Sequence, residues 1–286
     1  MPTSTRNSFS TTLEHGRHRT SQTLPRVRLQ GTADPTTPGA PPLGPGIVVE
    51  DLTVAYRREP VLWDVHLQFG RGRLTAIVGP NGAGKSTLVK AICGLVRPAS
   101  GRIRILDRPL RQMKRRVGYV PQRSSVDWDF PIRVEEVVEM GRYGRLGWFR
   151  GLTSADREAS QRALEQVHMT EYADRQIREL SGGQQQRVFL ARALAQEAEV
   201  YLLDEPFAGV DARTEAAILQ ILQGLRDAGK TVVVVHHALQ SVQTYFDDVV
   251  LLNMRVMSAG PVATTLSEST IRATYGGRLP LLDRAA

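Results

Sequence analysis

Nine consecutive residues have the types and the spacing that could bind a chain of phosphates. They fit the pattern G-x-x-x-x-G-K-[ST], in which the glycines let the backbone turn tightly and point its N–H groups inward. A helix that follows adds the positive end of its dipole. Lys85 can reach the terminal phosphates as a point charge, and the Ser86 hydroxyl can ligate Mg²⁺. The nine positions are Gly79, Pro80, Asn81, Gly82, Ala83, Gly84, Lys85, Ser86 and Thr87.

A second group of residues could also bind phosphate. It is the four-residue stretch that we call the signature turn, and its members are Ser181, Gly182, Gly183 and Gln184. A hydroxyl, two glycines and a helix predicted to start near Gln184 meet there, although an ordinary capped helix has the same appearance. The turn cannot serve the same phosphate in the same way as the first loop. The chain therefore offers two half-sites, which a head-to-tail pair of chains would unite.

A pair of acids closes an apolar run. Val200–Leu203 reads as a buried strand, and Asp204 and Glu205 follow it directly. A solvated strand end does not explain two adjacent acids at this place in a chain with a phosphate loop. Asp204 is placed to hold Mg²⁺, directly or through water, and Glu205 to orient or deprotonate an attacking water. His236 and His237 end the next strand and could reach a γ-phosphate, but in isolation this signal is weak.

The pattern of apolar residues predicts the elements that position these groups. Continuous apolar runs over residues 74–78, 200–203, 231–235 and 249–252 predict strands buried on both faces, and helical spacing between them predicts a parallel α/β sheet. Alternating runs over residues 52–56, 61–69 and 101–105 predict a small antiparallel sheet beside it. Residues 127–178 read as an inserted helical lobe, with a capping box at Thr153 and Asp156 that opens a helix to about Met169.

Composition limits the remaining choices. The chain has 286 residues and a formal net charge of +8, which is compatible with nucleic acid, an acidic membrane surface or ATP as a partner. Cys93 has no second cysteine to pair with and is expected to be a buried, inert thiol. No apolar run approaches the roughly 20 residues that span a bilayer, so we expect a soluble protein. Residues 1–46 read as a disordered extension and 277–286 as a tail.

Taken in order, these motifs resemble the ATP-binding subunits of ABC transporters over residues 47–276. The resemblance implies a P-loop (RecA-like) α/β fold, with a mostly parallel sheet, an antiparallel β subdomain and an inserted helical subdomain. It implies that Tyr56 stacks on adenine, where the alternative is a surface tyrosine. It also implies that Gln122 senses Mg²⁺, that Asp211 communicates across a dimer, and that His237 is the switch histidine. The signature turn then grips ATP held by the partner chain.

The same resemblance implies an ATPase with ATP and Mg²⁺ as its cofactors and Ser86, Gln122 and Asp204 around the metal. The expected partners are integral-membrane permease subunits and a second copy of the chain, at the cytoplasmic face of the membrane, with no nucleic acid. The chain departs from the family where Asp commonly follows the switch histidine, because Ala238 stands there. We expect a modest loss of function from that difference.

A narrower resemblance concerns the cargo. The segments Val126–Pro131 and Met140–Trp148 look like those of ATPases from manganese, zinc and iron uptake systems. That likeness implies import of such a metal, with an extracytoplasmic metal-binding protein in the same system. The lobe has no Cys/His cluster with metal-ligand spacing, so other subunits would handle the metal. Four aromatic residues could form a surface for the permease. They are Trp128, Phe130, Tyr143 and Trp148.

Three other functions remain open from the sequence. The first is an ABC-type ATPase that acts on nucleic acid in repair or translation, which the basic charge favours slightly. The presence of one cassette, and the short distance between Thr87 and Leu180, argue against it. The second is a non-enzymatic regulatory module, against which the intact Lys85, Asp204 and Glu205 argue. The third is an importer of another cargo.

Overall fold

The computed structural model describes residues 44–57, 59–146 and 151–276. Most of the two tails predicted from composition lies outside these ranges. The strands are β1 Pro45–Tyr56, β2 Glu59–Gly70, β3 Arg73–Val78, β4 Ser100–Ile105, β5 Arg108–Pro109, β6 Val117–Val120, β7 Val200–Asp204, β8 Thr231–Val235, β9 Asp248–Asn253 and β10 Arg255–Pro261. The helices are α1 Lys85–Ile92, α2 Leu110–Met113, α3 Val134–Tyr143, α4 Ser154–Gln166, α5 Gly182–Ala195, α6 Ala212–Asp227, α7 Leu239–Tyr245, α8 Val262–Thr265 and α9 Glu268–Tyr275.

The larger sheet has six strands in the order β10-β9-β3-β8-β7-β6. All neighbours pair in parallel except β9 and β10, which confirms the predicted parallel core. Every residue of β7 and β8 is buried, because helices or the smaller sheet cover both faces. The carboxyl ends of β3, β8 and β7 lie side by side, with β8 in the middle. The phosphate loop, the acid pair and the two histidines therefore share one edge of the sheet, which we call the carboxyl edge.

The smaller sheet is antiparallel, in the order β2-β1-β4-β5, as the alternating pattern predicts. β1 is one continuous strand from Pro45 rather than two short segments. A register shift around Asp51, whose φ is +52°, bends it and lets it pair with both β2 and β4. Its inward side chains pack with the apolar face of α1, so the small sheet supports the helix that follows the phosphate loop.

The helical lobe packs α3 against α4 and α5. The capping box at Thr153 is confirmed, since its Oγ1 accepts the Asp156 N–H at 3.2 Å, but α4 ends at Gln166, before the predicted Met169. Arg142 is buried and donates to Asp156 Oδ1 at 3.0 Å and to Glu197 Oε2 at 2.8 Å. Hydrogen bonds from Thr153, together with Arg142, lower the pKa of Asp156 to about 2. This paired network fixes the lobe to the end of α5.

Across the described residues, no helix combines the length and the apolar character needed to cross a bilayer.

Candidate active site

The phosphate loop connects β3 to α1 and is closely surrounded by backbone. Gly84 has a φ of +91°, and a Cβ atom there would lie 2.6 Å from Leu62 Cδ2 and 2.9 Å from the Val61 carbonyl oxygen. Only glycine fits both the conformation and the space. Gly84 is also the N-cap of α1 and has no side chain to cap the helix. The first N–H groups of α1 are thus left for an anion.

Lys85 already has partners inside the loop. Its Nζ donates to the Gly79 carbonyl oxygen at 2.8 Å and to the Pro80 carbonyl oxygen at 2.9 Å, and 6% of the residue is exposed. Burial lowers the pKa of Lys85, while Glu205 and Asp204 oppose that effect. An ammonium group has three N–H donors, so Lys85 keeps one for a phosphate while two hold the loop. A bond from this donor to a phosphate joins two opposite charges, which makes it stronger than a bond to an uncharged carbonyl.

Ser86 and Asp204 form a pair that suits a hard cation. Ser86 Oγ donates to Asp204 Oδ1 at 2.8 Å. Asp204 is fully buried, its second oxygen Oδ2 has no hydrogen-bond partner, and burial raises the pKa of its carboxyl group in spite of the Ser86 bond. A buried carboxylate oxygen without a partner is costly unless a ligand satisfies it. Oxygen donors of this kind are those that Mg²⁺ prefers, so these two residues fit the ion.

Glu205 is held at both oxygens. Gln122 Nε2 donates to Glu205 Oε2 at 2.8 Å, and His237 Nε2 lies 2.6 Å from Glu205 Oε1. Its backbone adopts a φ of +53°, which is uncommon for a residue other than glycine and turns the chain sharply at the end of β7. The structure thus brings together Gln122, Glu205 and His237, which lie far apart in the chain, around one carboxylate.

The two adjacent histidines lie in different environments. The His237 side chain is 46% exposed at the carboxyl edge, whereas His236 is buried between the rings of Phe207 and Phe246. Burial, with a smaller contribution from His237, lowers the pKa of His236 to about 4, so its imidazole is neutral near pH 7. His236 Nε2 has no hydrogen-bond partner. His236 is therefore part of the core, and His237 alone is available to a ligand.

The signature turn is a capping box. The Gln184 N–H donates to Ser181 Oγ at 3.4 Å, and the Ser181 N–H donates to Gln184 Oε1 at 2.8 Å. Helix α5 therefore begins at Gly182, two residues before Gln184. Asp211 is the N-cap of α6 and accepts the Thr214 N–H at 2.9 Å. Hydrogen bonds from the backbone and the side chain of Thr214 lower the pKa of Asp211. A Cβ atom at Gly183 would lie 3.4 Å from Thr214, so the signature turn and the Asp211 cap are neighbours.

The remaining predicted residues lie on the surface or at its edge. Tyr56 ends β1 and is 46% exposed. Phe130 and Tyr143 are exposed, as predicted for a docking surface, but Trp128 packs edge-on against Phe189 with ring centroids 5.0 Å apart. Trp148 lies outside the described residues. Burial raises the pKa of the Cys93 thiol well above its usual range, as expected for an inert cysteine.

Sequence reasoning missed Arg123, which follows Gln122. Its guanidinium group donates to Gln185 Oε1, from Nε at 3.3 Å and from NH2 at 3.2 Å. In a chain so rich in arginine, no local signal distinguishes this residue. Only its position next to Gln122 could have marked it.

A phosphate loop on a parallel sheet, with the buried Asp204 and the partly buried Glu205 at the end of β7 in the same sheet, defines a P-loop ATPase. The family model described as ABC transporter matches residues 62–208. The chain belongs to the ABC transporter ATP-binding family, so it binds ATP, and its ATPase activity is coupled to transport.

Two transport ATP-binding proteins and one solved ABC cassette structure are similar to this chain. The zinc transport system ATP-binding protein TroB of Treponema pallidum is 55% identical, over 82% of this chain and 88% of TroB. The manganese transport system ATP-binding protein MntB of Bacillus subtilis is 53% identical, over 82% of this chain and 94% of MntB. The dimeric structure of MJ0796, a bacterial ABC transporter cassette, is 30% identical with a TM-score of 0.66, over 76% of this chain and 98% of MJ0796.

Proposed function

We propose that this chain powers the import of a divalent transition metal through a separate membrane permease, at the cytoplasmic face of the membrane. Manganese and zinc are the first candidates, and iron is the third metal that the sequence resemblance includes. The observation that carries the proposal is identity above one half to a zinc and a manganese transport subunit, over more than four fifths of the chain. An extracytoplasmic protein would deliver the metal to the permease.

The phosphate loop, Gly79–Thr87, binds the triphosphate in this proposal. Lys85 donates its remaining N–H to a phosphate oxygen, and the N–H groups at the start of α1 donate to the same anion. Tyr56, exposed at the end of β1, offers its ring to the adenine. The burial of Lys85 supports this role, because a charge in a low-dielectric site interacts strongly with a phosphate.

Ser86 and Asp204 are the residues that would hold Mg²⁺, with Gln122 as a further oxygen donor. Bound there, the ion would supply positive charge that stabilises the transferring phosphate. Glu205 orients a water molecule and accepts its proton, and His237 leaves its contact with Glu205 to donate to the γ-phosphate. The hydrogen bond from Gln122 positions the Glu205 carboxylate before substrate arrives, so the carboxylate loses little freedom on the way to the transition state.

A second copy of the chain completes each site. The signature turn presents an exposed Ser181 and the N-terminus of α5 to the ATP of the partner, and Asp211 lies beside it at the same surface. The dimeric assembly of the MJ0796 cassette supports this arrangement. Two identical chains that exchange such half-sites form a closed head-to-tail pair with twofold symmetry.

A cleft beside Gln122 is the proposed docking place of the permease. Its volume is about 430 Å³, and its lining residues are Gln122, Arg123, Ser124, Val126, Trp128, Ala208 and Gly209. Phe130 and Tyr143, exposed on the lobe, add aromatic surface of the kind that anchors interfaces. A permease segment in the cleft would lie next to Gln122, the residue that donates to Glu205. Movement of the permease could thereby affect ATP hydrolysis.

We assign binding of the transported metal to other subunits. Among the described residues, a single group of three His, Cys or carboxylate side chains has the spacing of a metal site, and it consists of Asp51, Asp64 and His66. This group is on the small antiparallel sheet, outside the helical lobe. His66 Nε2 lies 3.2 Å from Asp51 Oδ1 and 3.0 Å from Asp64 Oδ1, so its members already satisfy one another.

The test is metal accumulation in cells that lack this chain. In metal-poor medium we expect their manganese, zinc or iron content, measured by mass spectrometry, to fall below that of the parent strain. The wild-type chain should restore the content, and Glu205→Gln, which retains the fold but loses the carboxylate, should not. Normal content of all three metals would contradict the cargo and leave the transporter assignment standing.

A further inference from the structure

Arg123 joins two parts of the proposed machinery. The preceding residue, Gln122, holds Glu205, and the guanidinium group of Arg123 donates twice to Gln185 Oε1 of helix α5. Gln185 is buried, and its Nε2 donates to the Ile177 carbonyl oxygen at 3.2 Å, just before the signature turn. Both ends of the Gln185 amide are thus satisfied, and Arg123 supplies the charge-assisted bond.

The signature turn leaves room for this guanidinium group. A Cβ atom at Gly182 would lie 2.9 Å from Arg123 Cζ, 3.0 Å from NH1 and 3.1 Å from NH2. The guanidinium plane therefore rests against the backbone of the signature turn itself. Glycine at position 182 permits this approach, in addition to any approach of a ligand from the other side.

The backbone of Arg123 is held as firmly as its side chain. Trp128 Nε1 donates to the Arg123 carbonyl oxygen at 2.9 Å, and the Trp128 ring packs edge-on against Phe189. Gln185 and Phe189 are four residues apart, on one face of α5. The segment after Gln122 is therefore attached to the signature helix at two successive turns. Both Arg123 and Trp128 also line the cleft beside Gln122.

We propose that Arg123 is a positioning residue, which sets the place of the signature turn relative to the hydrolytic carboxylate of its own chain. This inference rests on the proposed two-chain site. The segment Gln122–Arg123 contacts Glu205 on one side and α5 on the other, so a change in its position alters both half-sites of the chain together. A permease segment in the cleft would act through this residue on the partner's ATP.

The experiment uses the full chain with Glu205→Gln, in which ATP stays unhydrolysed. Two quantities are measured with Mg²⁺ present. The first is the affinity of dilute monomer for a fluorescent ATP analogue, and the second is the dimer dissociation constant with ATP, by light scattering. Adding Arg123→Ala should leave the affinity of the monomer for the ATP analogue within about twofold. It should raise the dimer dissociation constant about tenfold, as expected for the loss of one charge-assisted hydrogen bond.

Three comparisons separate positioning from general stability. Arg123→Lys keeps the charge without the guanidinium fork and should fall between the parent and Arg123→Ala. Adding Arg123→Ala to a Gln185→Ala chain should change the dimer constant little, because the shared bond is already lost. Arg157→Ala, a matched change at an exposed position of α4, should change neither quantity. The melting temperature of each variant is measured in parallel.

The possible failures differ from one another. If Arg123→Ala dimerises as tightly as the parent, the positioning role is wrong while the two-chain site stands. If monomer affinity, dimerisation and melting temperature fall together in both Arg123 variants, the residue is merely structural and the inference is overturned. If the Glu205→Gln parent itself stays monomeric with ATP, the proposed two-chain site is contradicted, and the inference with it.

Discussion

The phosphate loop with the carboxyl edge, and the signature turn, are proposed to hold opposite sides of one ATP, yet they are built differently. At the carboxyl edge, Lys85 and Asp204 are buried, and Lys85, Ser86 and Glu205 each have a partner within the chain. At the signature turn, Ser181 is exposed, and its hydroxyl and Gln184 cap their own helix. The first surface holds its ligand-binding groups in bonds to other parts of the chain, whereas the groups of the second bond only within one helix cap.

The two surfaces therefore differ in what controls them. At the carboxyl edge, internal bonds hold Lys85, Ser86 and Glu205 in place before ATP binds. The position of the signature turn depends on the lobe and on the contact between Arg123 and Gln185. Binding should therefore be a property of one chain, and hydrolysis a property of the pair.

Substitutions at the two surfaces should affect different steps, ATP binding at the phosphate loop and hydrolysis at the signature turn. Lys85→Ala should weaken ATP binding by dilute chain roughly 100-fold, near the upper end of what one charge-assisted hydrogen bond contributes. Ser181→Arg should leave that affinity within about twofold, yet lower steady-state hydrolysis roughly 100-fold, as the loss of a positioned donor group does. Equilibrium binding and phosphate release are the measurements. An equal loss of monomer binding in both variants would remove the distinction between the two surfaces.

A second prediction tests the burial of His236 behind the carboxyl edge. The pKa of His236 falls from 6.5 to about 4 on folding, so below pH 6.5 the unfolded chain binds a proton that the folded chain does not. Stability should therefore decrease as the pH falls from 6.5 to 4, by roughly 3 kcal/mol from this group.

Urea unfolding of wild type and His236→Phe between pH 7 and pH 4 measures this contribution. The variant should lose less stability over that range, since phenylalanine does not titrate. Parallel pH profiles of the two proteins would mean that His236 is not a neutral, desolvated core residue.

The smallest effect concerns the exposed lobe. Tyr143→Ala should reduce metal uptake about fivefold, the usual result of truncating one interface aromatic, while the ATPase activity of the free chain is unchanged. Tyr143 is 53% exposed and is the last residue of α3, in the helical lobe. Met257→Ala, a matched exposed position on β10, is the control for uptake. Lower ATPase activity in the free Tyr143→Ala chain would argue against a role in docking.

Local patterns predicted the groups that act within one segment. The phosphate loop, the acid pair after β7 and the cap at Ser181 each combine spacing with a strand or helix end, so residue types alone place them. The Arg123–Gln185 bond joins residues 62 positions apart, and the burial of His236 depends on two rings from other elements. Such contacts are decided by packing, which a single sequence does not specify at the level of one side chain.

The central claim is that each complete site takes its phosphate loop from one chain and its signature turn from another. The most direct measurement mixes two inactive proteins, Lys85→Ala and Ser181→Arg, and follows ATP hydrolysis with Mg²⁺. In an equal mixture, random pairing makes half of the dimers mixed, and each mixed dimer has one intact site of two. We expect hydrolysis to return to about a quarter of the wild-type rate. A mixture that stays at the sum of its two inactive components, at every ratio, would show that one chain builds its site alone.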